Sequence, residues 1–190
     1  MIRAWIGLGL LAGALPLSVD TAFRWPAAIA WQFPVPFSRE LAEADGCGAG
    51  YLITRGVGGA GGHQGADLSN RRAGGIVRAV ANGVVIVAGG GSSGYGEHVV
   101  LAHRLGDGRL IYTIYAHLES RSIAVSPATI VHAGDPLGRV GRTGIATSPH
   151  LHFEVRTPRR AEQRWETTPV ADPLLFVSEH LADTDSTFAR

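Results

Sequence analysis

The 190-residue sequence has no lysine, one cysteine and one methionine, and charged residues make up only 17% of it. Each shortage excludes something. A lone Cys47 leaves no internal disulfide and no cysteine-rich zinc site. All 17 basic residues are arginine, the formal charge is +1, and no dense basic patch forms, so nucleic acid is excluded as a partner. With 45% apolar residues the chain is globular, not disordered. Amphipathic periodicity is scarce as well: "DPLLFVSEHLA" near the C-terminus is the single candidate helix of about ten residues. The length suits one domain with a real core and hardly two.

Glycine is what the chain has in quantity, 26 residues. They separate short apolar segments, "GYLIT", "GIVRAVANGVVIVAGG", "EHVVLAHRL", "RLIYTIYAHL", "DPLGRVG" and "HLHFEVR", that read as strands of four to eight residues. The expected fold is an all-β, antiparallel two-sheet domain with short strands and long Gly-rich loops. Before it, Arg3 and an uncharged apolar run from Ala4 to Val19 have the layout of a secretory signal. "AGA" (Ala12 to Ala14) offers a small-residue cleavage site. Sixteen residues are short for a membrane span, which leaves an uncleaved N-terminal anchor as the second reading. With no cysteine closing the run, a lipoprotein anchor is excluded. Export to the periplasm or cell envelope, or secretion, is the expectation.

Two Gly-rich stretches match known fingerprints without their context. "GVGGAG" (Gly56 to Gly61) fits the dinucleotide pattern and "GGSSG" (Gly90 to Gly94) the nucleophile elbow. Both patterns need a helix to open directly behind them, and here further breakers or a strand follow. They read as loops.

The histidines carry more information. In "SPHLHFEV", alternation puts His150, His152 and Glu154 on one strand face, with Leu151, Phe153 and Val155 on the other. Two imidazoles side by side on a strand suit metal chemistry, and a catalytic zinc takes three protein ligands with a fourth position open to water. "GGHQGADLS" offers His63 and Asp67 at an even spacing, on one face if extended. His117 ends the strand "RLIYTIYAHL", where alternation sets it with Ile111, Thr113 and Tyr115. His98, His103, His132 and His180 read as structural or solvated. Glu154 is a tempting base, but two residues beyond His152 it reads as a supporting contact or a surface ion pair. Cys47 reads as a plain buried thiol.

The order "HQGAD", "GYGEHVVLAH", "YAHL", "GRTGIATSP" and "HLHFEV" resembles the lysostaphin/LytM-type zinc metalloendopeptidases, the M23 family of peptidoglycan hydrolases. The likeness runs from about Trp31 to about Val177. It implies a metallopeptidase domain over 31–178, preceded by a signal or anchor over 1–20 and a linker over 21–30, with a tail over 179–190. It further implies one zinc per chain held by His63, Asp67 and His152, with His117 and His150 as non-ligating catalytic histidines and peptidoglycan as substrate. Membrane contact would come only through an uncleaved N-terminal segment, and the oligomeric state stays open. Two readings remain beside this one: a non-catalytic envelope module that binds or activates other wall hydrolases, and a zinc peptidase acting on a protein. Departures include His98 where the family commonly has Asn, and the Arg-rich stretch "RTPRRAEQRWETTPVAD".

Overall fold

The computed structural model describes residues 26–28, 30–44, 49–58, 62–90, 94–160 and 162–187; the N-terminal apolar run and Cys47 lie outside them. A short helix α1 (Arg39–Ala44) precedes strands β1 (Leu52–Arg55), β2 (Ala66–Ser69), β3 (Ile76–Arg78), β4 (Gly83–Gly89) and β5 (Glu97–Arg104). Then come β6 (Leu110–Leu118), β7 (Ile130–Val131), β8 (Pro136–Arg139), β9 (Leu151–Arg156), β10 (Val170–Ala171) and helix α2 (Pro173–Thr187). No helix among the described residues is long and apolar enough to cross a membrane.

The antiparallel two-sheet β fold is present, with sheets of very different size. Seven strands run in the order β1-β2-β9-β6-β5-β4-β7, and β10 adds to β9. Strands β3 and β8 form a separate two-stranded ribbon. The pairings between named strands are all antiparallel. Every apolar segment read as a strand holds all or most of one, and "GIVRAVANGVVIVAGG" holds two, β3 and β4, which lie in different sheets. β2 is a strand that composition hid, because "ADLS" has little β-propensity of its own. No helix follows either Gly-rich fingerprint; β2 and β5 are the next elements.

The centre of the large sheet is covered on both sides. Leu151, Phe153 and Val155 of β9 join Ile111 and Tyr115 of β6 and Val99 and Leu101 of β5 in the main core. Trp31, Val77, Leu137 and Val177 close that core from outside the sheet. Each such side chain contributes about 1.5–3 kcal/mol by leaving water. On the opposite face, Val100, Ala102, Tyr112, Ile114 and Ala116 form a smaller cluster with Tyr95 and Trp165 packed against it. Double coverage explains why β6 reads as a nearly unbroken apolar run.

Helix α2 forms where the sequence supplies a start signal. Asp172 Oδ1 accepts from the Leu174 and Leu175 amides at 3.0 and 3.1 Å, and Pro173 takes the first helical position. Phe176 packs edge-on to Trp31, and the His180 ring stacks on Phe176 at 4.2 Å, so His180 is a packing residue. His103 is structural too: fully buried, it hydrogen-bonds Asn82 O at 2.8 Å and Thr113 Oγ1 at 2.7 Å.

Candidate metal centre and active site

Strand register builds the site. Asp67 of β2 stands directly opposite His152 of β9, and on the other side His152 stands opposite Ala116 of β6. Directly opposed residues project from the same face at close range, so the two side chains meet without any loop to aim them. His63 reaches the same point from the turn before β2. Its Nε2 lies 3.1 Å from Asp67 Oδ1 and 3.1 Å from His152 Nδ1, and His152 Nδ1 lies 2.9 Å from Asp67 Oδ1.

Hydrogen bonds on the far sides of the rings decide what these atoms offer. His63 Nδ1 is 3.1 Å from Gly56 O, and His152 Nε2 is 2.9 Å from Glu154 Oε1. Each of those nitrogens carries the proton, since its partner only accepts. The inward nitrogens therefore present lone pairs to one another and to a carboxylate oxygen. Three electron-rich atoms within 3.1 Å of one another repel unless a cation sits among them. A tetrahedral metal site with bonds of about 2.0–2.1 Å has edges of about 3.3 Å, which this triangle nearly matches. Among the described residues His63, Asp67 and His152 form the one such group. The donor set fits a divalent metal.

Electrostatics around the triangle run in opposed directions. Burial alone would push the Asp67 carboxyl up, yet its close contact with His152 and the neighbouring imidazoles hold it below the usual carboxylate range. Burial would lower His152, and its contacts with Asp67 and Glu154 outweigh that and raise it. Proton and metal thus compete for His152 Nδ1.

The remaining two histidines stand beside the triangle. The His150 ring centroid is 4.7 Å from that of His117, and His150 Nε2 lies 3.6 Å from Asp67 Oδ1. His117 reaches this face by a route that alternation does not predict. Read as a regular strand, β6 would turn it to the core side with Tyr115. Instead Glu97 pairs with Leu118 and Val99 with Tyr115, so His98 alone faces both Ala116 and His117. That β-bulge has His117 at φ 61°, and it swings the ring onto the site face, 5.7 Å from the His152 ring. His117 Nδ1 donates to Thr143 O at 2.8 Å, leaving the lone pair on Nε2. Burial pushes His117 down to about 4, so it is neutral at pH 7.

Behind His152 the same strand face continues with charge. Glu154 is fully buried, which corrects the idea of a surface ion pair: it accepts from His152, from the Tyr95 hydroxyl at 2.9 Å and from Arg156 Nε at 2.6 Å. Burial and the Glu154 charge push the Tyr95 hydroxyl up to about 12. Gln64, Tyr95 and Arg156 are the site residues that sequence reading passed over. Arg156 follows the His-x-His strand at the same two-residue spacing, and that periodicity was its one available signal. His98 is buried against Gly96 O, a structural role. The triangle opens into a cleft of about 460 Å³ lined also by Arg55, Gly94, Tyr95, His117 and Ile145.

Residues 61–166 match the model of peptidase family M23, more than half of the chain and all five histidine and aspartate positions just described. The chain belongs to peptidase family M23. This M23 chain is 40% identical over 94 residues to the DD-carboxypeptidase/endopeptidase Mpg of Neisseria meningitidis, covering 50% of this chain and 20% of that one. Among solved structures, the catalytic domain of the antimicrobial peptidase lysostaphin from Staphylococcus simulans superposes with a TM-score of 0.55 at 30% identity. That match covers 67% of this chain and 92% of the other. A zinc-containing peptidase from Vibrio cholerae gives a TM-score of 0.53 at 26% identity, over 77% of this chain and 40% of that one. The chain spans about a fifth of the length of the first curated relatives it matches.

Proposed function

We propose that this M23 member is an exported zinc endopeptidase hydrolysing peptide bonds in the stems or cross-bridges of peptidoglycan. The observation that carries the reading is the convergence of His63 Nε2, Asp67 Oδ1 and His152 Nδ1 within 3.1 Å at a cleft that His117 also lines. One zinc bound by these three atoms would supply Lewis acidity, lowering the pKa of water to about 7 and polarising the scissile carbonyl. His63 and His152 hold their protons on the far nitrogens, and so keep both inward lone pairs available as ligands. His117, neutral at pH 7 with its lone pair on Nε2, is suited to take the proton of the attacking water. The same Nε2 can then hand that proton to the leaving amine, with the His150 ring packed against His117 beside the reacting carbonyl. Ile145, 84% exposed at the cleft, and the Tyr95 ring give it apolar walls beside the Arg55 guanidinium.

The wall as substrate is supported by the family and by relatives named as endopeptidases. Export rests on Arg3 followed by the apolar run to Val19. The deciding experiment incubates protein lacking residues 1–20 with purified peptidoglycan, as prepared, after chelation and after zinc is restored. Soluble fragments with new amines, lost on chelation and regained with zinc, are the expected result. A folded, zinc-loaded protein that releases nothing would overturn the reading.

A further inference from the structure

The buried cation behind the metal triangle has no part in the chemistry just proposed, yet its contacts are complete. Arg156 is 3% exposed, and a guanidinium has five N–H donors. All five are used. Nε donates to Glu154 Oε2 at 2.6 Å, and Nη2 to Gln64 Oε1 at 2.6 Å and to the Tyr95 hydroxyl at 3.1 Å. Nη1 donates to Thr168 O at 3.1 Å and Glu166 O at 3.4 Å. Two of these acceptors lead to different metal ligands. Glu154 holds the Nε2–H of His152, and Gln64 is the chain neighbour of His63.

Resting on the zinc reading above, we infer that Arg156 is a positioning residue of the metal centre, fixing the His152 strand and the His63 turn against one another through Glu154 and Gln64. The ligands come from segments 89 residues apart, and on the far side of the triangle Arg156 bonds to both, through Glu154 and Gln64. Burying a carboxylate with a guanidinium gains little net stability, because desolvation cancels most of the attraction. Orientation is what the arrangement supplies. A carboxylate that receives two further donors, from Tyr95 and Arg156, cannot swing away from His152, so that ring keeps its tautomer and its Nδ1 keeps its direction. A lysine at this position lacks the planar fork and could not reach the same five acceptors at once.

The test uses the full chain and measures zinc affinity by competition with a chromophoric chelator, the absorption spectrum of the cobalt-loaded protein, and the urea unfolding midpoint. Arg156→Lys is expected to bind zinc about 10–100-fold more weakly, the usual effect of removing such outer contacts, and to shift the cobalt bands. Gln64→Leu cuts only the link to the His63 turn and, with its side chain at the surface, leaves the core intact. It should weaken zinc several-fold, whereas Gln64→Glu, which keeps an acceptor for Arg156, should bind at or above the wild-type affinity. Unchanged zinc affinity and cobalt spectrum in Gln64→Leu and in any folded Arg156→Lys protein would overturn the inference, even if unfolding midpoints fall. A wild-type protein that takes up no zinc would instead overturn the proposed function, and this inference with it.

Discussion

His117 and His152 share one face of the sheet although strand alternation assigns them to opposite faces. His152 pairs with Ala116, the neighbour of His117, and the two imidazole centroids are 5.7 Å apart because His117 occupies the left-handed region at φ 61°. A non-glycine residue there costs of order 1–3 kcal/mol, held in place by the surrounding sheet. Strain at this point carries a catalytic candidate into the cleft.

That conformation separates chemistry from folding. Asparagine tolerates positive φ and a β-branched residue does not. His117→Asn should keep the wild-type stability within about 1 kcal/mol while peptidoglycan release falls about 10²–10⁴-fold, the range for losing a general base. His117→Val should lose activity and, in addition, about 1–3 kcal/mol of stability in urea titration. An active Asn variant would remove His117 from the mechanism.

The two histidines of the His-x-His pair should fail differently. His152→Ala removes an inward lone pair and strands Glu154, so zinc retention and activity should vanish together. His150→Ala leaves the three-atom triangle whole, so it should still carry one zinc per chain by metal analysis while turnover drops about 10²–10⁴-fold. Full zinc content in His152→Ala would refute the ligand assignment.

Period-two patterning makes much of this legible in the sequence. Leu151, Phe153 and Val155 facing the core, and His152 with Glu154 facing away, follow from alternation alone, as do β5 and β6. The pairing of Asp67 with His152 was beyond it, because register between strands 85 residues apart depends on the whole sheet. The bulge at His117 was equally invisible, since one extra residue in β6 shows only against its partner β5. Glu154 illustrates a third limit. A charged residue on a strand reads as solvated, and the burial of this one depends on the Arg156 and Tyr95 side chains that bond to it.

Gly65 gives a test of how tightly β2 and β9 must approach. A Cβ there would lie 2.5 Å from Phe153 O, 2.8 Å from His152 Cε1 and 2.9 Å from Glu154 Cγ. Two of those atoms belong to the ligand and its carboxylate partner, and the third is backbone. Gly65→Ala should therefore cost about 1–3 kcal/mol in urea unfolding and weaken zinc binding in a chelator competition. Wild-type zinc affinity in this variant would mean that the sheet opens by an ångström without disturbing the triangle.

His103 makes the stability of the fold depend on pH, far from the cleft. Burial pushes it down to about 4, against 6.5 in an unfolded chain, with its Nδ1–H held by Asn82 O. Between those values the unfolded state binds the extra proton, so stability rises with pH. The contribution is fully present above about pH 6.5 and is lost as pH falls towards 4, by about 3 kcal/mol in total. Other groups add their own pH dependence: His117 is lowered like His103 and acts in the same window, while His152 is raised and acts with the opposite sign above about pH 6.5. Subtracting the stability of His103→Leu at each pH cancels both. The variant should be less stable at pH 7, because Asn82 O and the Thr113 hydroxyl lose their partner, yet its deficit should shrink steadily between pH 6.5 and 4 as the wild type loses stability faster. A deficit that stays constant over that range would show that His103 binds its proton equally well in the folded and unfolded chains, and burial could then not be what keeps it neutral.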